Sequence, residues 1–133
     1  MIKIITTEAP IPAGHYSQGI SYNGFVFVSG QLPLDPQSGQ LVTGGIEAQA
    51  RQTIENVRAV LVAANSDLDL VVKATIYITD GKYWPDVNKI YSELLGEHKP
   101  ARAVIPCGAL HYDALLEMEV IAATIETNAP EDF

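Results

Sequence analysis

The sequence predicts an α+β fold in which two helices pack on one face of a mixed β-sheet. Strand-like and helix-like segments follow one another in the order strands, helix, strand, helix and two strands. In a chain of only 133 residues, helices that follow strands favour a layer of helices against one sheet. Since 47% of the residues are hydrophobic, we expect one domain, residues 1–133, with a substantial core.

The first helix is predicted from Ile46 to Asn65. Its apolar residues recur every three or four positions, as in a helix with one buried stripe. The stripe consists of Ile46, Ala50, Ile54, Val57, Leu61 and Ala64. Arg51, Glu55 and Arg58 then fall on the polar side of the helix.

A second, shorter helix is predicted around the segment VNKIYSELL. Pro85 suits its first turn, where a missing N–H costs nothing, and Gly96 is a stop signal. The apolar residues that keep helical spacing are Trp84, Val87, Tyr91 and Leu94.

Segments rich in β-branched and aromatic residues predict strands. They are Phe25–Ser29, Val71–Thr79, Arg102–Ile105 and Leu115–Ile125. The polar segment Thr127–Phe133 is interpreted as a loose tail.

The last predicted strand has two unlike faces, because side chains alternate along a strand. Leu116, Met118, Val120 and Ala122 point one way. Leu115, Glu117, Glu119, Ile121, Ala123 and Ile125 point the other way. The second set mixes carboxylates with aliphatic side chains, which suits neither a core nor a solvent-facing strand. We therefore expect this face to meet another subunit.

One arginine and two carboxylates lie near the carboxyl-terminal end of the chain. Arg102 is in the segment PARAVIP, and Glu117 and Glu119 follow it by fifteen and seventeen positions. Arginine binds a planar carboxylate bidentately, and a carboxyl group in apolar surroundings has a raised pKa and can donate a proton. The pattern indicates a small-anion site, with an ion pair between neighbouring strands as the structural alternative.

Charge and motifs argue against several other classes of protein. Sixteen acidic and eight basic residues give a net charge of -8, which opposes a general electrostatic grip on nucleic acid or anionic membrane. His15, His98 and His111 lack the spacing of zinc ligands, and no nucleotide-binding or serine-hydrolase motif occurs. We expect neither a metal nor an organic cofactor.

The single cysteine, Cys107, permits no intrachain disulfide. The first ten residues do not resemble a signal peptide, and no stretch has the length of a membrane helix. A cytoplasmic location is therefore predicted.

Several motifs occur in a particular order along nearly the whole chain. They are GHYSQG (14–19), SGQLPLDPQSG (29–39), PAR (100–102) and EME (117–119). The sequence thereby resembles the Rid (YjgF) family of reactive-intermediate imine and enamine deaminases. The resemblance implies a chorismate-mutase-like fold, a homotrimer, and sites in the clefts between subunits.

The resemblance also implies roles for individual residues. Arg102 matches the arginine that binds the substrate carboxylate, and Glu117 matches the acid that acts through water on the departing nitrogen. Tyr16 matches a tyrosine that closes the pocket, and Ser29 and Asn88 match further pocket residues. The structural alternatives are a loop plug for Tyr16, a turn hydroxyl for Ser29 and a structural hydrogen bond for Asn88.

Two features depart from the family pattern. Many members have cysteine where this chain has Val104, so the backbone near Val104 would have to orient the attacking water. The loop Gly108–Ala114 also differs from the leucine-proline version that is often found there.

The predicted function is hydrolysis of 2-imino acids to 2-oxo acids and ammonia. The expected substrates are 2-iminopropanoate, which forms from 2-aminoacrylate, and 2-iminobutanoate. An RNA-directed activity of the endoribonuclease or translation-inhibitor kind is one alternative. A small-molecule binder without catalysis is another, and it would keep Arg102 but would not depend on Glu117.

Overall fold

The computed structural model describes residues 1–125 as a six-stranded mixed sheet covered on one face by two helices. The strands are β1 (Ile2–Ile4), β2 (Gly19–Tyr22), β3 (Phe25–Gln31), β4 (Val71–Ile78), β5 (Ala101–Pro106) and β6 (Leu116–Ala123). The helices are α1 (Gly45–Ala63) and α2 (Trp84–Leu95). The predicted tail Thr127–Phe133 lies outside the described residues.

The strands are arranged in the order β1-β2-β3-β6-β4-β5. Only β4 and β5 run parallel, and every other pair is antiparallel, so the sheet is mixed as predicted. Strand β4 separates β5, which carries Arg102, from β6, which carries Glu117. The alternative of an ion pair between neighbouring strands is therefore wrong for these two residues.

Both predicted helices are confirmed with small changes at their ends. Helix α1 begins at Gly45, directly after Gly44, and the φ angles of these two residues, 84° and 110°, suit residues without a Cβ atom. Its apolar stripe is buried against the sheet, and its charged side is exposed. Helix α2 has Pro85 in its first turn and ends at Gly96, which has a φ of 61°.

The core lies between the helices and the inner face of the sheet. From β3, β4 and β6, the buried residues include Val26, Val28, Ala74, Ile76, Ile78, Leu116, Met118, Val120 and Ala122. The packing confirms that both helices cover one face. Each fully buried Leu, Ile or Val contributes about 1.5–3 kcal/mol through removal from water, so this layer is the main source of stability.

Strands β1 and β2 were not delimited in the sequence. They belong to an antiparallel meander in which a tight turn at Asn23 and Gly24 connects β2 to β3. Both turn residues have positive φ angles, 53° and 83°, which fits a type I′ turn. The Asn-Gly pair between apolar segments is the signal that would have located β2, whereas the three residues of β1 are too few to show a period.

No helix or strand of residues 1–125 covers the outer face of the sheet, and part of this face carries exposed aromatic side chains. Tyr22, Phe25 and Phe27 are 50%, 42% and 44% exposed there, next to Ile121 of β6. The alternation predicted for β6 is confirmed, with Glu117, Glu119 and Ile121 all on this outer face. A group of exposed aromatic side chains of this kind is typical of an interaction surface. Within residues 1–125, no helix is both long and apolar enough to cross a membrane.

Candidate active site

Arg102 is held on the helix-covered face of the sheet. It is paired in register with Ala74, which is fully buried in the core, so the two side chains point the same way. Its Nη1 atom donates a hydrogen bond of 2.9 Å to Oδ1 of Asn88. The guanidinium group also lies over the rings of Tyr91 and Trp84, 4.8 Å and 5.7 Å from their centroids. These contacts hold the guanidinium in one place by cation–π attraction and a hydrogen bond to a neutral acceptor.

No carboxylate of residues 1–125 forms an ion pair with Arg102; the pairs formed are Arg51–Glu93, Arg58–Asp67 and Lys89–Glu47. Arg102 borders a cavity of about 480 Å³ together with His98 and Lys99. The half-buried guanidinium is therefore positioned to accept an anion from outside the chain.

Asn88 and Val104 lie beside Arg102. Asn88 is half-buried on α2, and its amide oxygen serves Arg102 rather than another part of the core. Val104 is two residues further along β5 on the same face, and its side chain packs against the core. Only the backbone of Val104 is left to act on a ligand.

Glu117 lies on the opposite face of the sheet. It is paired in register with Tyr77 of β4 and is half-buried. Its carboxylate stands so close to Gly30 that a Cβ atom on Gly30 would overlap Oε2. Burial raises the pKa of Glu117 above its ordinary value of 4.5, the Glu119 carboxylate raises it further, and His111 opposes the shift. Such a carboxyl group holds a proton more readily than an exposed one and can return it to a substrate.

Ser29 and Tyr16 lie near Glu117. The Ser29 hydroxyl donates a hydrogen bond of 2.6 Å to the carbonyl of Ser17, and its backbone N–H donates one of 2.9 Å to the carbonyl of Gln18. Ser29 therefore ties the loop that carries Tyr16 to the end of β3, which is a structural role. The Tyr16 ring, 51% exposed, lines a cavity of about 370 Å³ that reaches Gly30.

Glu119 lies on the same face as Glu117 but does not border this cavity. It is exposed and is paired in register with Thr75. Its carboxylate is the main cause of the raised pKa of Tyr77, and burial and Glu117 add to the shift. The structure therefore separates the two carboxylates: Glu117 stands against Gly30, which lines the cavity, and Glu119 lies further along the outer face.

The predicted site residues form two groups on opposite faces of one sheet. Arg102, Asn88 and Val104 lie together on the helix-covered face, and Glu117, Ser29 and Tyr16 lie together on the other. Within one chain the two groups do not meet. A site that used both Arg102 and Glu117 would need two copies of the chain.

Comparison with known proteins agrees with the motifs and the fold. A family model described as Endoribonuclease L-PSP, which represents the YjgF and RutC proteins, matches residues 6–124. The chain belongs to the Rid (YjgF/RutC) family.

Individual Rid-family relatives match over nearly their whole length. A RutC family protein of Pyrococcus abyssi is 45% identical over 119 residues, which cover 90% of this chain and 94% of the relative. The crystal structure of Escherichia coli TdcF with bound serine has a TM-score of 0.89 and 35% identity, and covers 94% of this chain and 100% of TdcF. RidA from the Antarctic bacterium Psychrobacter has a TM-score of 0.89 and 36% identity, and covers 92% of this chain and 99% of RidA. The fold is therefore that of the Rid family, as the sequence predicts.

Several residues beside the candidate site were not singled out in the sequence. Gly30 had the clearest signal, because a glycine inside a strand often marks close approach of another group. Trp84 was assigned to the apolar stripe of α2, yet it is 44% exposed and stacks on Arg102. Gln18 and Asn56 gave no signal, because their partners are backbone carbonyls that only the folded chain brings near.

Proposed function

We propose that this protein hydrolyses 2-imino acids to 2-oxo acids and ammonia in a cleft between two copies of the chain. The observation that carries the proposal is the pair of half-sites on opposite faces of the sheet. One presents a positioned guanidinium without a carboxylate partner among residues 1–125, and the other presents a carboxyl group with a raised pKa. An anion-binding group can hold the carboxylate of a 2-imino acid, and a proton donor can assist departure of its nitrogen.

The ligand class is supported by Arg102. A guanidinium fork binds a carboxylate through two parallel charge-assisted hydrogen bonds, and every 2-imino acid and 2-oxo acid carries that carboxylate. TdcF was crystallised with serine, a 2-amino acid with the same carboxylate, and that relative covers 94% of this chain. Arg102 is therefore assigned to the substrate carboxylate and Glu117 to the nitrogen.

The assembly proposed is a homotrimer. The uncovered outer face carries Phe25, Phe27 and Ile121, which would leave water if it packed against a neighbouring subunit. A head-to-tail contact that closes into a ring places the helix-covered edge of one subunit beside the outer face of the next. Light scattering after gel filtration should give about three times the chain mass. A stable monomer at micromolar concentration would remove the basis for a shared site.

The reaction can be written with the residues of the two half-sites. Water adds to the imine carbon, with a proton passing to nitrogen, and a carbinolamine forms. Glu117, directly or through a water molecule, gives its proton to the carbinolamine nitrogen. The C–N bond breaks with its electrons going to ammonia, the hydroxyl proton returns to Glu117, and a 2-oxo acid remains. Arg102 keeps the carboxylate in place, and the backbone near Val104 orients the attacking water.

The proposal is tested by adding the protein to 2-iminopropanoate, generated from alanine by an amino-acid oxidase, and trapping the remaining imine with semicarbazide. The protein should lower the yield of trapped imine. Arg102→Ala should reduce kcat/KM by about ten- to a hundredfold, because a charged hydrogen bond is worth about 1.5–3 kcal/mol. Glu117→Gln keeps the shape but not the acidic proton, so turnover should fall while 2-oxo acid binding persists.

Two variants serve as matched controls. Arg51→Ala removes an exposed arginine, and Glu55→Gln removes an exposed carboxylate on the polar side of α1. Both should keep wild-type rates. Full activity in Arg102→Ala and in Glu117→Gln would contradict the assigned roles.

RNA cleavage is a second candidate, because the matching family model is described as Endoribonuclease L-PSP. The net charge of -8 disfavours binding to a phosphate backbone. We expect no appreciable RNA binding near physiological ionic strength. Cleavage that disappears in Arg102→Ala, in nuclease-free material, would favour this candidate. A non-catalytic binder would instead bind 2-oxo acids without accelerating imine loss in any variant.

A further inference from the structure

The cavity beside Glu117 is larger and more apolar than the smallest 2-imino acids require. In a single chain this open cavity has a volume of about 370 Å³, and its walls include Ile11, Leu32, Leu34 and the rings of Tyr16 and Tyr112. A methyl or ethyl side chain would fill a small part of this volume. Cavities of this size normally accept a drug-sized apolar group with a few polar contacts.

The position of the cavity relative to Glu117 indicates which part of a ligand would occupy it. Gly30 lines the cavity, and the Glu117 carboxylate stands directly over Gly30. His111 and Gln31 are polar residues at the wall. A substrate whose imine carbon lies near Glu117 would therefore extend the substituent on that carbon into the apolar cavity.

Two buried amide side chains fix the walls of the cavity. Gln18 is 2% exposed, and its Nε2 atom donates to the carbonyls of Thr6, at 3.0 Å, and Pro10, at 2.9 Å. Asn56 is 1% exposed, and its Nδ2 atom donates to the carbonyls of Leu32, at 3.0 Å, and Leu34, at 2.9 Å. The segments that carry the apolar walls are thus held before a ligand arrives, which favours binding of a rigid or bulky group.

The remaining wall comes from the loop in which this chain departs from the usual family sequence. Tyr112 and Asp113 have φ angles of 64° and 57°, a left-handed conformation that is uncommon for residues other than glycine. Backbone strain of this kind is retained where the surrounding structure requires it, and it clusters at ligand-binding sites. Here the strained turn presents an aromatic ring, 54% exposed, to the cavity.

We propose that the cavity prefers 2-imino acids with a large apolar side chain, branched aliphatic or aromatic, over those with a methyl or ethyl side chain. Tyr112 determines this specificity. This inference rests on the proposed imine hydrolysis. The substrate carboxylate lies at Arg102 of one subunit, the imine carbon near Glu117 of the next, and the side chain against Tyr112 and Ile11. These apolar contacts are the same in the ground state and the transition state, so they act mainly on KM.

The inference is tested with imines generated in place from alanine, leucine and phenylalanine by an L-amino-acid oxidase. The leucine and phenylalanine imines should show a kcat/KM at least about tenfold above the alanine imine, since a single methylene in an apolar pocket is worth about tenfold or more. Tyr112→Gly removes the ring and suits the positive φ angle, so the fold is retained. It should erase most of that preference by raising KM for the leucine and phenylalanine imines much more than for the alanine imine.

Ile11→Ala is a second variant, and because Ile11 is 76% exposed the substitution does not endanger the fold. Like Tyr112→Gly, it should reduce the preference for the leucine and phenylalanine imines. Val62→Ala, on the exposed side of α1 and 56% exposed, is the control that should leave it intact. Equal kcat/KM for all three imines, or a uniform loss in Tyr112→Gly, would overturn the specificity assignment while leaving imine hydrolysis in place. No acceleration with any imine would instead overturn the proposed function.

Calorimetric titration with the product 2-oxo acids gives a readout independent of turnover. Phenylpyruvate and 4-methyl-2-oxopentanoate should bind more tightly than pyruvate to the wild type, and the difference should shrink in Tyr112→Gly. Equal affinity for the three 2-oxo acids would contradict the assignment.

Discussion

The carboxylate of Glu117 occupies the space that a side chain on Gly30 would fill. A Cβ atom at residue 30 would overlap Oε2 of Glu117 and lie 3.0 Å from its Cδ atom. Since the atoms in the way are the end of a flexible side chain, the carboxylate can move at little cost in stability. The glycine therefore sets where the proposed proton donor stands.

Gly30→Ala should displace the Glu117 carboxylate and reduce kcat by about tenfold or more, because a misplaced proton donor forfeits much of its contribution. The midpoint of thermal unfolding should change little. Gly81→Ala is the matched control, since a Cβ atom there meets nothing within 4 Å. Wild-type kcat in Gly30→Ala would show that this contact does not position the catalytic group.

The pKa of Glu117 should respond to its charged neighbours in opposite directions. Glu119→Gln removes a negative charge and should lower the pKa of Glu117. His111→Gln removes the group that opposes the upward shift and should raise the pKa of Glu117. Titration of the side-chain carboxyl carbon by NMR measures both shifts. A Glu117 pKa that is unchanged in both variants would contradict the electrostatic account of this half-site.

Glu117 should make stability depend on pH in a direction set by its raised pKa. A carboxyl group whose pKa is higher in the folded state than in the unfolded state stabilises the fold at pH values below its unfolded-state pKa. This stabilisation is lost as the pH rises through the folded-state pKa. Because glutamine does not ionise, the Glu117→Gln variant does not lose stability in this way. At one fixed protein concentration, the variant should unfold at a higher temperature than the wild type at pH 7, and the difference should narrow near pH 4. A difference that grows toward low pH would contradict the sign of the shift.

Asn88 should control how well Arg102 binds a carboxylate. Asn88→Ala removes the acceptor of the 2.9 Å hydrogen bond and should weaken 2-oxo acid binding by about two- to tenfold. Asn88→Asp has nearly the same shape but adds a carboxylate that would pair with Arg102 and compete with the substrate, so its loss should be larger. Calorimetric titration with pyruvate ranks the three proteins. Binding by Asn88→Asp as tight as that of the wild type would show that Arg102 is not the anion-binding group.

The parts of this structure that local patterns determine could be predicted from the sequence. The helical stripe of α1 and the alternation along β6 each depend on neighbouring residues of one segment, and both are confirmed. The stripe of α2 is confirmed at Val87 and Tyr91 but is wrong at Trp84, which is exposed. Which face Arg102 takes depends on the register of β5 against β4, and on the insertion of β4 between β5 and β6. Those are pairings between distant segments, so the separation of Arg102 from Glu117 had no signal in the sequence.

The contact between Gly30 and Glu117 is non-local in the same way. It depends on a shift in register between β3 and β6 after Val28, which changes how the end of β3 approaches the neighbouring strand. The glycine itself is visible in the sequence, but its partner is not.

The central claim is that Arg102 of one subunit and Glu117 of another form each site, and mixing two inactive variants tests it most directly. Arg102→Ala and Glu117→Gln chains are unfolded together in equal amounts, refolded, and assayed for imine hydrolysis, with each variant refolded alone as the control. Every mixed trimer would contain one boundary with both native residues, so about a quarter of all sites should regain wild-type activity. If refolded mixed trimers, verified by mass, show no more activity than the separate variants, the two residues do not act across a subunit boundary and the account is wrong.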